Sequence, residues 1–357
     1  MKTGIQLDLR LRGDDDPILV GNDTLIHFLD SLLPFRYNQF MKYLLRSLSY
    51  TLLMLFLISL ISFAAMHAAP NSFMGAELNP NMTPENIAQL KAIYGLDKPL
   101  FQQYFDWIVN LTQLNFGISF VSGAQVSDVV MNRLPVTLWM NMIALVVTFV
   151  VSLWMGIRAA LRYEKLADHA ITQISLLSFA MPSYYLALVL MMMFSVTLGW
   201  FPIAGLHSLE PPEGFGYYTD MAWHLVIPIS VMVMTGVGSL VLYIRSLTLE
   251  ILKSDYVYFA RSRGIREKTI IRYYILPNLL PPIVTMLGLS LPGLIGGSVI
   301  LESIFGIEGM GQLFYASAMS RDYPVIMGIL MMSAFLTLIG NQIADAVLLK
   351  LNPFVKR

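Results

Sequence analysis

The sequence predicts an all-α membrane protein with six transmembrane helices and both termini in the cytoplasm. Of its 357 residues, 56% are hydrophobic and only 13% are charged, and the mean hydropathy is +0.63. Soluble globular chains average about 45–50% apolar and about 25% charged residues, so this composition excludes an ordinary soluble enzyme. The 23 Lys and Arg balance the 23 Asp and Glu, which argues against a disordered chain and against a nucleic-acid-binding protein.

Six stretches of sequence are long and apolar enough to cross a bilayer. A span needs about 20 mainly apolar residues, because about 30 Å of hydrocarbon must be crossed at about 1.5 Å per residue. The six stretches are residues 47–66, 137–157, 171–198, 223–244, 281–301 and 325–349, with boundaries that are soft by several residues. None of them contains Lys, Arg or Glu, and the only acid is Asp345, so a bundle with an uncharged interior is expected.

The positions of the cations predict the orientation of the chain. If the N-terminus lies in the cytoplasm, the inner segments hold all of the 23 Lys and Arg except Lys91, Lys98, Arg133 and Arg321. Cytoplasmic loops carry an excess of Lys and Arg, whereas acids contribute little to this rule. Both termini are therefore expected in the cytoplasm.

Two segments outside the spans have distinct characters. Residues 1–42 are expected to form a polar N-terminal extension, with one short helix predicted after Asp23, and residues 43–357 to form the six-helix transmembrane domain. The long outer loop, residues 67–133, is expected to fold into two helices. Its second helix carries an apolar stripe made of Leu100, Tyr104, Trp107, Ile108 and Leu111. This stripe is most simply buried against the outer membrane face or against the other loop helix. The alternative is a docking surface for an outside protein.

Several kinds of chemistry are missing from the sequence. It contains no Gly-Lys-Ser or Gly-Lys-Thr phosphate loop, no cysteine, and no pair of histidines at ligand spacing, so neither an ATPase site nor a metal or other cofactor site is expected. Secondary transporters place ionisable groups near the bilayer midplane, and the predicted spans have none there. Uphill transport would then draw energy from a separate subunit at the cytoplasmic face. A secondary transporter or channel that works alone is the rival hypothesis.

The cytoplasmic loop at residues 249–280 has an unusual composition. Ala260 and Gly264 are four residues apart, so on a helix they would present a bare strip that another protein could approach closely, with Tyr256 one turn earlier. Aromatic anchors beside small residues and arginines suit a groove in a partner. A basic helix lying on anionic lipid explains the cations equally well.

This loop resembles the cytoplasmic EAA loop of permeases of ATP-binding-cassette (ABC) importers. Ala260, Gly264, Leu276 and Pro277 match the EAA pattern in register, whereas Tyr258, Phe259 and Tyr274 depart from it. The peptide and nickel permeases commonly read Asp-Tyr-x-x-x-Ala-Arg-x-Lys-Gly, a pattern followed by Asp255, Tyr256, Ala260, Arg261 and Gly264, with Arg263 in place of the lysine. Further stretches look like the same family: residues 94–99, 116–119, 181–183, 199–202, 302–305, 309–311, 321–324 and 352–353.

The resemblance covers residues 41–357 and is to the first permease subunit of dipeptide and oligopeptide importers. It implies a type I permease fold in a bacterial inner membrane, a second permease, two cytoplasmic ATPases that hold ATP and Mg²⁺, and an outside solute-binding protein. It also implies that the ATPase-coupling loop includes Asp255, Tyr256, Phe259, Ala260, Arg261, Arg263, Gly264, Leu276 and Pro277. An importer of the same architecture for nickel chelates or another small solute remains open, as does the role of the 40-residue leader.

The fifth predicted span is rich in small residues. Its candidate residues for a translocation path are Gly288, Pro292, Gly293, Gly296 and Gly297. Small residues allow helices to pack closely, which is the simpler interpretation of the pattern. The alternative is that this helix faces the second permease along the path of the solute.

Overall fold

The structure is a computed structural model that describes residues 49–68, 97–291, 293–296 and 298–351, without the side chains of residues 295, 296 and 344–351. Within these ranges the regular structure is helical, apart from one isolated bridge between Ile118 and Gln125. The helices predicted in the N-terminal extension and in the first part of the long loop lie outside the described residues, as does the side chain of Asp345.

Twelve helices can be given bounds in the described part of the chain. They are α1 (Ser49–Ala68), α2 (Leu100–Thr112), α3 (Val126–Leu161), α4 (Leu166–Ala180), α5 (Ser183–Thr197), α6 (Phe215–Leu252), α7 (Asp255–Ser262), α8 (Glu267–Ser290), α9 (Gly293–Gly296), α10 (Val299–Ile304), α11 (Met310–Ser320) and α12 (Tyr323–Leu351). The end of α5 and part of α8 have π-helical turns, at Met191–Thr197 and Ile271–Ile275.

Among the described residues, five helices are long and apolar enough to cross a membrane, namely α1, α3, α6, α8 and residues 323–343 of α12. The predicted stretches 47–66, 137–157, 223–244 and 325–349 coincide with α1, α3, α6 and α12. The stretch 171–198 is not one straight helix, because α4 and α5 are bent by 105° with respect to each other. Met181, at the bend, has extended backbone angles. The next residue is Pro182, and a proline disfavours the helical conformation in the residue before it.

The fifth predicted stretch is displaced in the structure. Its helix, α8, begins at Glu267, well inside the predicted loop, and ends at Ser290, so residues 281–301 do not form one continuous helix. The sequence Pro292-Gly293 follows this end, and both residue types have low helix propensity. The hydropathy pattern missed the early start because Lys268 and Arg272 interrupt it.

Close contacts between small residues bring α6 against both α3 and α4. A Cβ atom on Gly156 of α3 would lie 2.7 Å from Cγ2 of Ile244, and one on Gly238 of α6 would lie 2.6 Å from the carbonyl oxygen of Ser175. Any larger residue at either glycine would separate the helices. The long helix α6 is therefore held on two sides before it leads into α7.

Candidate functional site

The short helix α7 lies between α6 and α8 and is anchored by two residues of its inner face. Val257 is completely buried and Ala260 is 3% exposed. Both belong to an apolar cluster that includes Ile244 of α6 and Ile270 of α8. Burial of the valine side chain alone contributes about 1.5–3 kcal/mol, so α7 is a fixed part of the bundle and not a loose loop.

The outer face of α7 carries exposed aromatic side chains. Tyr258 and Phe259 are 69% and 63% exposed, and their rings meet edge to face with centroids 6.1 Å apart. Tyr256 is 43% exposed and stacks with Tyr274 of α8 at 6.4 Å. Exposed aromatic side chains on an anchored helix form a protruding apolar surface suited to protein contact.

The prediction that Ala260 and Gly264 form a bare strip on one helix is wrong. Ala260 points into the bundle, because it lies three residues after Val257 and the two therefore share the buried face. Gly264 is not part of the helix, which ends at Ser262. Among the predicted loop residues, Asp255, Tyr256, Phe259, Arg261, Arg263 and Gly264 are exposed.

Gly264 terminates α7 through a Schellman motif. Its φ angle is +72°, and its N–H donates to the carbonyl of Arg261 at 2.9 Å, while the N–H of Ile265 donates to the carbonyl of Ala260 at 3.2 Å. A Cβ atom on Gly264 would meet nothing within 4 Å. The glycine is therefore required by the backbone conformation and not by a lack of space in this chain.

Charged side chains surround this surface without being buried. Nη2 of Arg261 lies 3.0 Å from Oε1 of Glu267, with the two side chains 46% and 50% exposed. An exposed pair of this kind contributes about 0–1 kcal/mol. Asp255 occupies the first turn of α7, where a negative charge interacts favourably with the helix dipole.

Leu276 and Pro277 lie inside α8 and not in a loop. Proline cannot donate the backbone hydrogen bond of a regular helix, and the π-helical turn Ile271–Ile275 directly precedes this pair. Asn278 donates from Nδ2 to the carbonyl of Tyr274 at 2.6 Å. Pro277 lies in the first turn of the α-helical part that follows the π-helical turn, where a missing N–H costs little, and the helix continues into the bundle.

A partly buried ion pair joins the first turn of α4 to the second half of α6. Arg245 donates from Nε and Nη2 to the two carboxylate oxygens of Asp168, at 2.6 and 2.7 Å. Asp168 is 2% exposed and also accepts the N–H of Glu164 at 3.0 Å. Such a fork fixes orientation as well as distance. Sequence reasoning counted Arg245 only as a cation, since its partner is 77 positions away and no local pattern connects them.

The candidate path residues fall into different surroundings. Gly288 is buried in α8, whereas Gly293 is exposed and a Cβ atom there would meet nothing within 4 Å. Close packing within this chain therefore does not explain Gly293. Gly296 ends α9, and Pro292 and Gly297 lie outside the described residues.

Two polar residues of α3 hold the interrupted segment after α8. Asn141, 6% exposed, donates from Nδ2 to the carbonyl of Leu294 at 2.8 Å. One turn earlier, Thr137 donates to Oε1 of Glu302 at 3.0 Å and accepts the N–H of Met310 at 2.8 Å. Sequence reasoning missed both residues because it counted only charges within the spans, although a polar amide in an apolar stretch is itself a signal.

Glu302 is completely buried and caps α11. Its Oε2 accepts the N–H of Gly311 at 2.7 Å and that of Gln312 at 3.1 Å, which would otherwise lack partners at the start of that helix. A Cβ atom on Gly309 would overlap the carboxylate. Glu302 lies one residue beyond the fifth predicted stretch, residues 281–301. The sequence-based count of charges within the spans therefore did not include this buried carboxylate.

The comparison with known proteins agrees with this architecture. The family model described as "Binding-protein-dependent transport system inner membrane component" matches residues 150–357, and the model of its N-terminal region matches residues 40–141. The chain belongs to this family. It is thus a membrane component of a transport system and not a catalytic subunit.

Three similar proteins illustrate the range of relatives. The oligopeptide transport system permease protein AppB of Bacillus subtilis (strain 168) is 36% identical over 88% of this chain and 99% of that protein. The di/tripeptide transport system permease protein DppB of Pseudomonas aeruginosa (strain UCBPP-PA14) is 31% identical over 88% and 99%. A solved structure of the MetNI methionine ABC transporter in inward-facing conformations gives a TM-score of 0.45 with 18% identity, over 62% of this chain and 97% of that chain.

We expect the replacement Glu302→Ala to destabilise the folded permease by about 2–4 kcal/mol, because the buried N–H groups of Gly311 and Gln312 would lose their acceptor. Thermal unfolding in detergent measures this change. Glu308→Gln is the matched control, since the Glu308 side chain is 65% exposed and pairs with Arg133 at the surface. Equal stability of the Glu302→Ala and Glu308→Gln proteins would contradict the capping role.

Proposed function

We propose that this chain is the permease subunit of an ATP-driven importer of di- and oligopeptides. The observation that carries the proposal is its family membership together with relatives of full length whose names specify peptide transport. The anchored helix α7 with its exposed aromatic face supports the same proposal, because a permease without its own ATPase needs a surface through which a motor subunit can act.

The proposed topology has six spans with both termini in the cytoplasm. In it the bent pair α4–α5 serves as the third membrane segment and α7 lies on the cytoplasmic side, an orientation supported by the excess of Lys and Arg in the inner segments. The proposed complex contains a second permease, two ATPases at the cytoplasmic face, and a solute-binding protein on the other side of a bacterial inner membrane.

In the proposed mechanism, α7 moves as a rigid body when the ATPases close on ATP. Tyr258 and Phe259 contact the motor subunit, and Val257 passes the displacement to the apolar cluster shared by α6 and α8. The ion pair between Arg245 of α6 and Asp168 of α4 links these two helices, so α4 takes part in this movement. Force applied at one short helix therefore reaches three helices at once.

The proposed path for the solute runs beside the interrupted segment after α8. Gly293 faces open space in this chain, so a second permease opposite it would leave room for a peptide. Asn141 fixes the backbone of this segment through the Leu294 carbonyl. A backbone held in this way can line a path without large side chains.

Reconstitution tests the proposed function directly. With the second permease, both ATPases and the binding protein in liposomes, we expect uptake of a labelled peptide that requires ATP, and no uptake by this chain alone. Flux driven by an ion gradient through the isolated chain would contradict the proposal. ATP-dependent uptake of a nickel chelate without uptake of peptides would refute the substrate but leave the architecture intact.

A pair of substitutions at Gly264 tests the role of α7. Asparagine tolerates the left-handed conformation, whereas a β-branched valine is strongly disfavoured there. We therefore expect Gly264→Val to remain in the membrane but to lose ATPase binding or the coupling of hydrolysis to uptake, while Gly264→Asn retains most of both. ATPase co-purification and uptake per ATP hydrolysed are the measurements.

Two results at Gly264 would count against this role. Normal coupling of ATP hydrolysis to uptake in the Gly264→Val protein would show that the end of α7 at Gly264 is not required. Equal impairment of the valine and asparagine variants would indicate that a partner contacts the bare glycine itself, because the surrounding space in this chain is open.

Cysteine scanning tests the proposed path. The sequence contains no cysteine, so this chain itself adds no background when single substitutions from Gly288 to Ser298 are labelled, and the importer without a substitution measures the labelling of its partners. In the assembled importer we expect a water-soluble thiol reagent to reach Gly293→Cys and not Gly288→Cys, which is buried in α8. Uniform protection along the segment would mean that the helix packs against protein or lipid and does not line a path.

A further inference from the structure

Helix α2 packs along the second half of α1 and not above its end. The hydroxyl of Tyr104 lies 2.8 Å from Oγ of Ser59, near the middle of α1, and Gln103 is hydrogen-bonded to His67, near its end, at 3.1 Å. Between these contacts, the ring of Phe63 meets Tyr104 edge to face, with centroids 5.2 Å apart. Because α1 is a candidate span from Ser49 to Ala68, α2 lies at the depth of its last turns.

The predicted stripe on α2 divides in the structure. Tyr104, Trp107, Ile108 and Leu111 are half-buried; Tyr104 meets the ring of Phe63 of α1 edge to face, and Trp107 stacks on it. Leu100 is 57% exposed and does not belong to this packed face. Tyr104 and Trp107 of the stripe therefore pack on the first span, a partner that the prediction did not name, while the other loop helix lies outside the described residues.

Two further stripes run along α2, each with residues four positions apart. One is apolar and exposed, with Phe101 81%, Phe105 58% and Val109 38% exposed. The other is polar and consists of Gln102, Asp106 and Asn110. At about 100° per residue the polar stripe lies about a quarter-turn beyond the apolar one, so α2 has a face for protein, a face for an apolar medium and a face for water.

The surroundings at this depth indicate what covers the apolar stripe. The side of α1 turned away from α2 carries the exposed residues Leu57 and Ile61, and only 17% of this candidate span is buried within the described chain, so lipid is the medium expected around it. The apolar stripe of α2 lies at the depth of the same turns of α1. The single acid of α2's polar stripe is neutralised, since Asp106 pairs with Lys98 at 2.6 Å.

We propose that the bilayer itself covers Phe101, Phe105 and Val109, so that α2 is a helix embedded in the membrane interface at the C-terminal end of α1. Such helices place an apolar face at the boundary between headgroups and acyl chains and a polar face towards water. The role of α2 is then to fix α1 in the membrane. This inference requires that α1 spans the bilayer, but it does not depend on the identity of the solute.

Site-directed spin labelling of the assembled importer in liposomes tests the proposal. The chain has no native cysteine, so a nitroxide can be attached at Phe101→Cys, Phe105→Cys and Val109→Cys, with Gln102→Cys and Asn110→Cys as controls on the same helix. These positions are on the surface of α2, so the labels leave no cavity. We expect lipid-soluble oxygen to relax the first three labels more than a water-soluble nickel chelate does, and the order to be reversed at the controls.

Two outcomes would overturn the proposal. Faster relaxation by the chelate at positions 101 and 105 would place the stripe in water. Immobile labels shielded from both reagents would show that a protein covers it, and shielding that appears only when the binding protein is added would identify a docking surface. Each result can be read without transport activity, so failure of the uptake experiment would leave this test unaffected.

Discussion

Satisfaction of buried polar groups is the constraint on which this structure depends. An apolar surrounding offers no water to an exposed N–H or C=O, so an interrupted helix is tolerated only where other parts of the protein supply partners. Here Asn141, Thr137 and Glu302 supply them for the segment between α8 and α11. The interruption and its polar supports therefore form one unit, and α3 is the helix that keeps it in place.

The position of helix α7 depends instead on apolar burial and on one backbone conformation. Val257 and Ala260 fix one face, and Gly264 ends the helix where α8 must begin. The outer face is thereby free to carry Tyr258 and Phe259. The anchored face is what would allow a push on these aromatics to displace the bundle instead of bending a loop.

Hydropathy predicted the straight spans well, because a run of apolar residues contains all the information that such a helix needs. It could not predict the bend at Met181, which depends on the next residue being proline, or the early start of α8, which includes cations. The orientation of Ala260 required knowledge of its buried neighbour Val257. The partner of Arg245 could not be found at all, because the Arg245–Asp168 contact is made only when distant helices pack.

The bend between α4 and α5 has a consequence for how the protein is made. Each arm contains 15 residues, about 22 Å of helix, which is too short to cross about 30 Å of hydrocarbon alone. Neither arm is a self-sufficient signal for the insertion machinery. Since α4 rests on Gly238 of the later helix α6, this part of the chain would reach its final position only after α6 has been synthesised, as a step of folding within the membrane.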